Sequence, residues 1–329
     1  MNSQSDIIDV GFIGVGSIAI DHARAIQALG HNIIAGSAIS ESSPRWKKFK
    51  EIAPKAVFFS NIDDLLIANN VDAIIVCLPW YITESILKKL LLCSKKILIE
   101  KPISLSSVLL EKTLKLPNIQ ISNKTIGFNR RFYSSVQALK QRVSKGGIKS
   151  IEISISESVQ RLEKTFGASI VPNILVYNSC HILDTAHYLL GELTILNKFC
   201  LQKKINPMKF NSSFNFLKTE NGHPVSLLIT DENPLPVGIR ILFDDETTWH
   251  LSPMEELNVF KGYDIIEPND VSHIRRYVPK KISSVSVDTN LKPGFYGQME
   301  SFLNGNKYNI SSSLNQHLGL LKFIESLSY

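Results

Sequence analysis

Between Ile8 and Leu116, short apolar runs alternate with longer segments in which apolar residues recur every three or four positions. The short runs predict strands at Ile8–Ile13, Asn32–Ile39, Ala56–Phe58, Asp72–Leu78 and Lys96–Ile99. The longer segments predict helices at Ile18–Leu29, Pro44–Ile52, Ile62–Ala68, Tyr81–Leu92 and Leu105–Leu116. Ala73–Leu78 is apolar on both faces, as suits a strand covered by helices above and below. This βαβ rhythm predicts an α/β fold with a doubly wound parallel sheet, whose ligands sit at the carboxyl ends of the strands.

From about Lys124 the rhythm changes. A helix is predicted over Phe132–Val143, and then Lys149–Ser156 alternates strictly, with Ile151, Ile153 and Ile155 on one face. Further strands are expected at Leu193–Phe199, Ser213–Leu217, Pro224–Ile229, Val237–Phe243 and Thr247–Leu251. One-sided strands of this kind make an antiparallel sheet with an open face. The organisation expected is therefore a dinucleotide-binding domain over residues 1–123 and a second α/β domain over residues 124–329. The closing helix, Leu314–Leu327, is free to pack back on the first domain. Pro268–Pro293, rich in Ser, Lys and Pro, reads as an extended or mobile segment able to reach a neighbour, or more simply as a solvated loop.

Composition narrows the picture by exclusion. The 329 residues are long enough for two cores, and 44% are hydrophobic, an ordinary share for a globular chain. No run approaches the roughly 18 to 20 apolar residues that cross a bilayer, and the polar opening Met1–Asp6 does not resemble a secretory signal, so cytoplasm is the expected compartment. Cys77, Cys93, Cys180 and Cys200 occur singly, which indicates neither a zinc site nor a disulfide framework. Lys and Arg outnumber Asp and Glu by 36 to 30, but the excess is spread out. Even Lys203-Lys204 is closed off by Gln202 and Ile205, so an anionic small molecule is expected as partner rather than nucleic acid.

Candidate chemistry begins where the first strand runs into Gly14-Val15-Gly16-Ser17-Ile18-Ala19. Gly14 allows a sharp turn, Gly16 lets the backbone approach a pyrophosphate, and Ala19 permits close helix–strand packing. The N–H groups that open the next helix, at Ser17 and Ile18, face the anion. A tight turn of purely structural purpose gives the same string. The fifth strand ends in Glu100-Lys101-Pro102, which brings Lys101 to the carboxyl edge of the sheet. There a lysine stabilises developing alkoxide charge during hydride transfer; the alternative is a solvated strand-end lysine paired with Glu100.

The glycine turn, Glu100-Lys101-Pro102 and Gly127-Phe128-Asn129-Arg130-Arg131-Phe132 together resemble the Gfo/Idh/MocA oxidoreductase family. The resemblance continues at His181-Ile182-Leu183-Asp184, at Tyr188–Glu192, at Phe295–Leu303 and in the closing helix. It implies a Rossmann domain followed by an α/β domain on a large, mostly antiparallel sheet, with dimers or tetramers formed through that sheet. It further implies that Lys101 orients the substrate, that His181 exchanges a proton with the reacting hydroxyl, and that Glu100, Leu78 and Pro79 border the cofactor. Asn129, Arg131, Tyr133 and Asp184 become candidates for substrate contact. His181 and Asp184 share one helix face at i, i+3.

Two departures qualify the resemblance. Tyr177 stands four residues before His181, where the family commonly has aspartate, and is read as a binding or relay residue because a phenol is a poor base near neutrality. After Pro79 the chain has Trp80 and Thr83 where relatives often have asparagine and histidine. Cofactor choice is read at the end of the second strand, which shows no aspartate to accept from an adenine-ribose hydroxyl. Glu41 is close but one step late, and Ser40, Ser42, Ser43 and Arg45 suit a phosphate, so NADP is favoured and NAD is the alternative; an ordinary serine-rich loop capping the helix that starts near Pro44 gives the same string.

Two function classes follow. The first is an NAD(P)-dependent oxidoreductase acting on a secondary alcohol or ketone of a sugar or nucleotide-linked sugar. The second is a dinucleotide-binding sensor or partner protein of the same fold with little turnover.

Overall fold

The structure, a computed structural model, describes residues 7–200, 212–305 and 310–327. Met1–Asp6 and the Lys203-Lys204 pair lie outside the described residues. Two compact units form, one from the residues up to Phe132 together with those from Thr289 onwards, the other from Tyr133–Asp288. The sequence reading draws its boundary at 123/124; in the structure the first unit continues through residues 124–132 and regains the chain at Thr289.

The first unit contains β1 (Asp9–Ile13), α1 (Ser17–Ala28), β2 (Asn32–Ser37), α2 (Pro44–Ile52), β3 (Val57–Phe59) and α3 (Ile62–Ile67). It continues with β4 (Ala73–Val76), α4 (Trp80–Leu92), β5 (Lys96–Ile99), α5 (Ser107–Leu114) and β6 (Lys124–Ile126). The six strands lie in the order β3-β2-β1-β4-β5-β6 and every neighbouring pair is parallel. This is the doubly wound arrangement, with its reversal of direction between β1 and β4, where a ligand crevice belongs. β4 is buried along its whole length, as its unbroken apolar run requires.

The second unit contains α6 (Ser134–Val143), β7 (Ile148–Glu157), α7 (Val159–Phe166), α8 (Cys180–Leu190), β8 (Leu193–Cys200), β9 (Ser213–Thr219) and β10 (Pro224–Asp231). β11 (Gly238–Phe243), β12 (Thr247–Leu251), β13 (Glu256–Ile266) and β14 (Arg276–Ser286) complete it. Eight strands form one sheet in the order β14-β13-β12-β11-β7-β10-β9-β8, antiparallel throughout except for β7 beside β10. Ile151, Ile153 and Ile155 face the core as their alternation predicts. Arg276–Ser286, expected only as part of an extended segment, is edge strand β14. β12 ends its pairing at Lys261, and beyond it β13 and β14 continue as a two-stranded ribbon.

After β14 the chain returns to the first unit as α9 (Phe295–Asn304) and α10 (Leu314–Leu327). Phe295, Met299, Phe302 and Leu303 of α9 share one apolar cluster with Ala19, Ala23 and Ile26 of α1 and with Phe12 and Ile75 of the sheet. Each such side chain removed from water contributes roughly 1.5–3 kcal/mol for the larger apolar residues, so the carboxyl-terminal return is integral to this core. No helix among the described residues is long and apolar enough to cross a membrane.

Candidate dinucleotide and catalytic sites

The glycine turn is shaped by contacts as well as by conformation. Gly14 has φ +85°, and a Cβ built there would stand 2.5 Å from the Cys77 carbonyl oxygen and 2.8 Å from Leu78 Cδ2. The Gly14 N–H donates to the Ser37 carbonyl at 2.9 Å. The ends of β1, β2 and β4 are thereby drawn together, with Gly14 and Leu78 of the expected cofactor residues in contact. Gly16 differs: a Cβ there would meet nothing within 4 Å. It is the N-cap of α1 and offers no side-chain hydrogen bond to the first turn. The N–H groups at Ser17 and Ile18 therefore border open space at the positive end of the helix, the cradle a pyrophosphate fills. The residues present fit a dinucleotide.

Beyond β2, Ser43 is spent on structure, since its hydroxyl accepts from the Trp46 N–H and caps α2. The Ser40 and Ser42 hydroxyls are 3.2 Å apart, and Arg45 is exposed at the start of α2. On the other side of Gly14, the Pro79 carbonyl accepts from the Ile82 and Thr83 N–H groups at 3.0 Å each, opening α4. Thr83 is 1% exposed and its hydroxyl donates to the Leu78 carbonyl at 3.4 Å, so this departure from the family serves the turn itself.

At the end of β5, the Glu100 N–H donates to the Val76 carbonyl and the Gly127 N–H donates to the Ile99 carbonyl. The Glu100 carboxylate accepts from His22 Nε2 of α1 at 2.8 Å, inside the protein. His22 was not singled out in the sequence, although a signal exists: it interrupts the apolar stripe Ala19, Ala23, Ile26 at helical spacing. Lys101 follows, half-buried, and the Lys101–Pro102 peptide is cis. Asn129 and Arg131 are buried in the same unit. The Asn129 amide donates to the Pro293 carbonyl at 3.0 Å, and the Arg131 guanidinium donates to the Ile310 carbonyl and to Gln316 Oε1 at 3.3 and 3.2 Å.

The second unit carries the remaining candidates on a distorted helical run. A 3-10 segment, Ala168–Asn173, passes into a π-helical turn, Leu175–Ser179, and then into α8. Tyr177 sits on the π turn and His181 in the first turn of α8, while Asp184 is 2% exposed one turn further on. Single π turns mark functional places in many helices. This one is fastened from outside, because the buried Glu157 at the end of β7 accepts from the Asn178 amide at 2.7 Å and from the Ser179 hydroxyl. The Tyr177 ring leans on Phe166 at 4.8 Å, and burial pushes its phenol above the usual tyrosine range. Tyr133 is buried at the head of α6.

Residues 8–117 match the model of the oxidoreductase family whose description is an NAD-binding Rossmann fold. Over those residues the chain is similar to the Gfo/Idh/MocA oxidoreductase family. It is 29% identical over 199 residues to inositol 2-dehydrogenase of Corynebacterium glutamicum, a match spanning 58% of this chain and 57% of that enzyme. The chain thus spans little more than half the length of that relative. The structure of a proposed NADPH-dependent oxidoreductase of Desulfitobacterium hafniense superposes with a TM-score of 0.72 at 17% identity, covering 98% of this chain and 96% of the other. The WlbA dehydrogenase of Bordetella pertussis, in complex with NADH and UDP-GlcNAcA, superposes with a TM-score of 0.68 at 14% identity, covering 98% and 95%. At these identities the two structures speak for the fold, which is the α/β architecture expected for the Gfo/Idh/MocA family.

Proposed function

We propose that the protein is an NAD(P)-dependent oxidoreductase moving a hydride between nicotinamide and a secondary alcohol or ketone carbon of a sugar, an inositol or a nucleotide-linked sugar. The observation that carries this reading lies within one sheet. The open cradle at Gly16 follows β1, and Glu100-Lys101 follows β5, both at carboxyl ends. The names of relatives supply the substrate classes: inositol 2-dehydrogenases by sequence, and a dehydrogenase bound to UDP-GlcNAcA by fold.

When bound, the nicotinamide supplies or takes the hydride. Lys101 donates to the substrate oxygen and stabilises the charge that develops there. His181 exchanges the hydroxyl proton, and Asp184, one turn along α8, orients the imidazole or holds a neighbouring hydroxyl. Tyr177, its phenol held protonated by burial, serves as a hydrogen-bond donor. NADP is the favoured cofactor, because β2 carries no carboxylate and Ser40, Ser42 and Arg45 supply two hydroxyls and an exposed cation beyond it. The open face of the eight-stranded sheet is assigned to a homodimer or homotetramer, and the cytoplasm is the proposed compartment.

Fluorescence titration with NADH and NADPH, followed by turnover assays with myo-inositol and UDP-N-acetylglucosamine, tests the reading. A Lys101→Met variant is expected to bind dinucleotide normally and lose about 100-fold in turnover. Unchanged turnover removes Lys101 from the mechanism. Tight dinucleotide uptake with no turnover of any sugar favours the sensor reading instead.

A further inference from the structure

Glu100 is gripped from three directions. Its main chain is tied to β4 through the Val76 carbonyl. Its side chain lies against Gly127, where a Cβ would come within 2.8 Å of Glu100 Oε1, so the absence of a side chain at that position makes the approach possible. The third grip is His22, which is fully buried and donates through Nε2 at 2.8 Å. The Phe295 ring of α9 backs the imidazole at 4.6 Å, and Nδ1 has no partner among the described residues. A carboxylate can only accept, so the ring proton lies on Nε2 and points at Glu100.

We propose that His22 is a positioning residue: by holding Glu100 it fixes the peptide that carries Lys101 relative to α1, the helix whose amino end receives the pyrophosphate. The consequence is geometric. Cofactor and Lys101 are set by elements on two different strand ends, β1 and β5, and the His22–Glu100 pair is a side-chain link between them that does not pass through the sheet. A displacement near 1 Å at a reacting group costs on the order of 100-fold in rate, so a link of this kind is worth its buried polar atoms. The inference deepens the oxidoreductase reading and, for its kinetic arm, rests on it.

The test compares His22→Leu and His22→Gln with Lys101→Met, measuring amide hydrogen exchange without dinucleotide, dinucleotide Kd and turnover. His22→Leu is expected to speed exchange at the amides of Glu100, Lys101 and Gly127 at least tenfold beyond the change in global stability. It should lower kcat 10- to 100-fold and leave dinucleotide Kd within threefold. His22→Gln retains a donor and should recover kcat to within about fivefold of the parent protein. If His22→Leu does not fold, Glu100→Ala, which removes the acceptor, replaces it, with the same exchange and kcat effects expected. Unchanged local exchange in the leucine variant, or in the Glu100→Ala variant that stands in for it, overturns the positioning role whether or not the parent turns over a sugar. Absence of parental turnover, or normal turnover in Lys101→Met, counts against the enzyme reading, and the exchange result still decides the role of His22.

Discussion

The Cys77 carbonyl oxygen stands 2.5 Å from the point where a side chain on Gly14 would begin, while the equivalent point on Gly16 meets nothing within 4 Å. Two glycines of one turn are therefore glycines for different reasons. Gly14 is required by the protein, through a positive φ and a strand end already in place, whereas at Gly16 the fold leaves open space, which the proposed function gives to the dinucleotide.

Alanine at the two positions should separate these reasons. Gly14→Ala is expected to lower stability by about 2 kcal/mol or more, combining left-handed strain with a clash against backbone that cannot yield. Gly16→Ala should change the melting temperature by less than 2 °C yet weaken NADH or NADPH binding at least tenfold. Thermal melts and fluorescence titrations of both variants check this. Equal loss of stability in the two would show that the space at Gly16 has no special standing.

His317 of α10 offers a prediction about acid. Its ring is fully buried beside Phe128, both nitrogens lack partners among the described residues, and burial, helped by the Arg131 guanidinium, pushes its pKa down to about 3. The unfolded chain takes up this proton near pH 6.5 and the folded one only near 3, so the contribution is complete above 6.5 and is lost as pH falls from 6.5 towards 3. The total is on the order of a few kcal/mol. His317→Met should flatten the decline of urea-unfolding stability between pH 7 and pH 4. A decline as steep as that of the parent would place the acid sensitivity elsewhere.

The parts of the fold legible in the sequence are those whose signal is local. Gly14-Val15-Gly16, the apolar run of β4 and the alternation at Ile151–Ile155 each announce their structure within ten residues. β14 was not legible, because a strand exposed on nearly every residue shows no alternation, and its Pro279 and serines read as loop. The π turn before α8 was hidden for a different reason. It is held by Glu157, some twenty residues earlier, and nothing in Leu175–Ser179 itself encodes that tether. The same holds for Asn129 and Arg131, whose hydrogen-bond partners at Pro293, Ile310 and Gln316 lie more than 150 residues away.

Tyr177 and His181 can be told apart by pH. Burial holds the phenol above its usual value near 10, so Tyr177 keeps its proton throughout the range in which an enzyme is normally assayed. Tyr177→Phe is expected to lower kcat by roughly tenfold, the loss of one hydrogen bond to substrate, without altering the shape of the profile between pH 6 and 9. His181→Asn should cost about 100- to 10,000-fold and remove the limb due to the proton carrier. A Tyr177→Phe profile that loses a limb would assign proton transfer to the phenol.

The alternation of β9 turns Phe214 and Phe216 away from the core, 38% and 45% exposed, with ring centroids 5.0 Å apart. Phe199 of the neighbouring strand joins them, edge-on to Phe216 at 6.2 Å. Isolated exposed aromatics are ordinary, but three linked through Phe216 at one edge of a sheet form an apolar patch, and such patches mark places of association. If this face joins two copies, Phe216→Glu inserts a charge into each side of the contact and shifts the molecule towards the 36.9 kDa monomer in light scattering after size exclusion. The chain's own stability should fall by less than about 0.5 kcal/mol, as for most surface changes. A parent protein already monomeric at micromolar concentration, or a variant that assembles as the parent does, would leave the patch without that role.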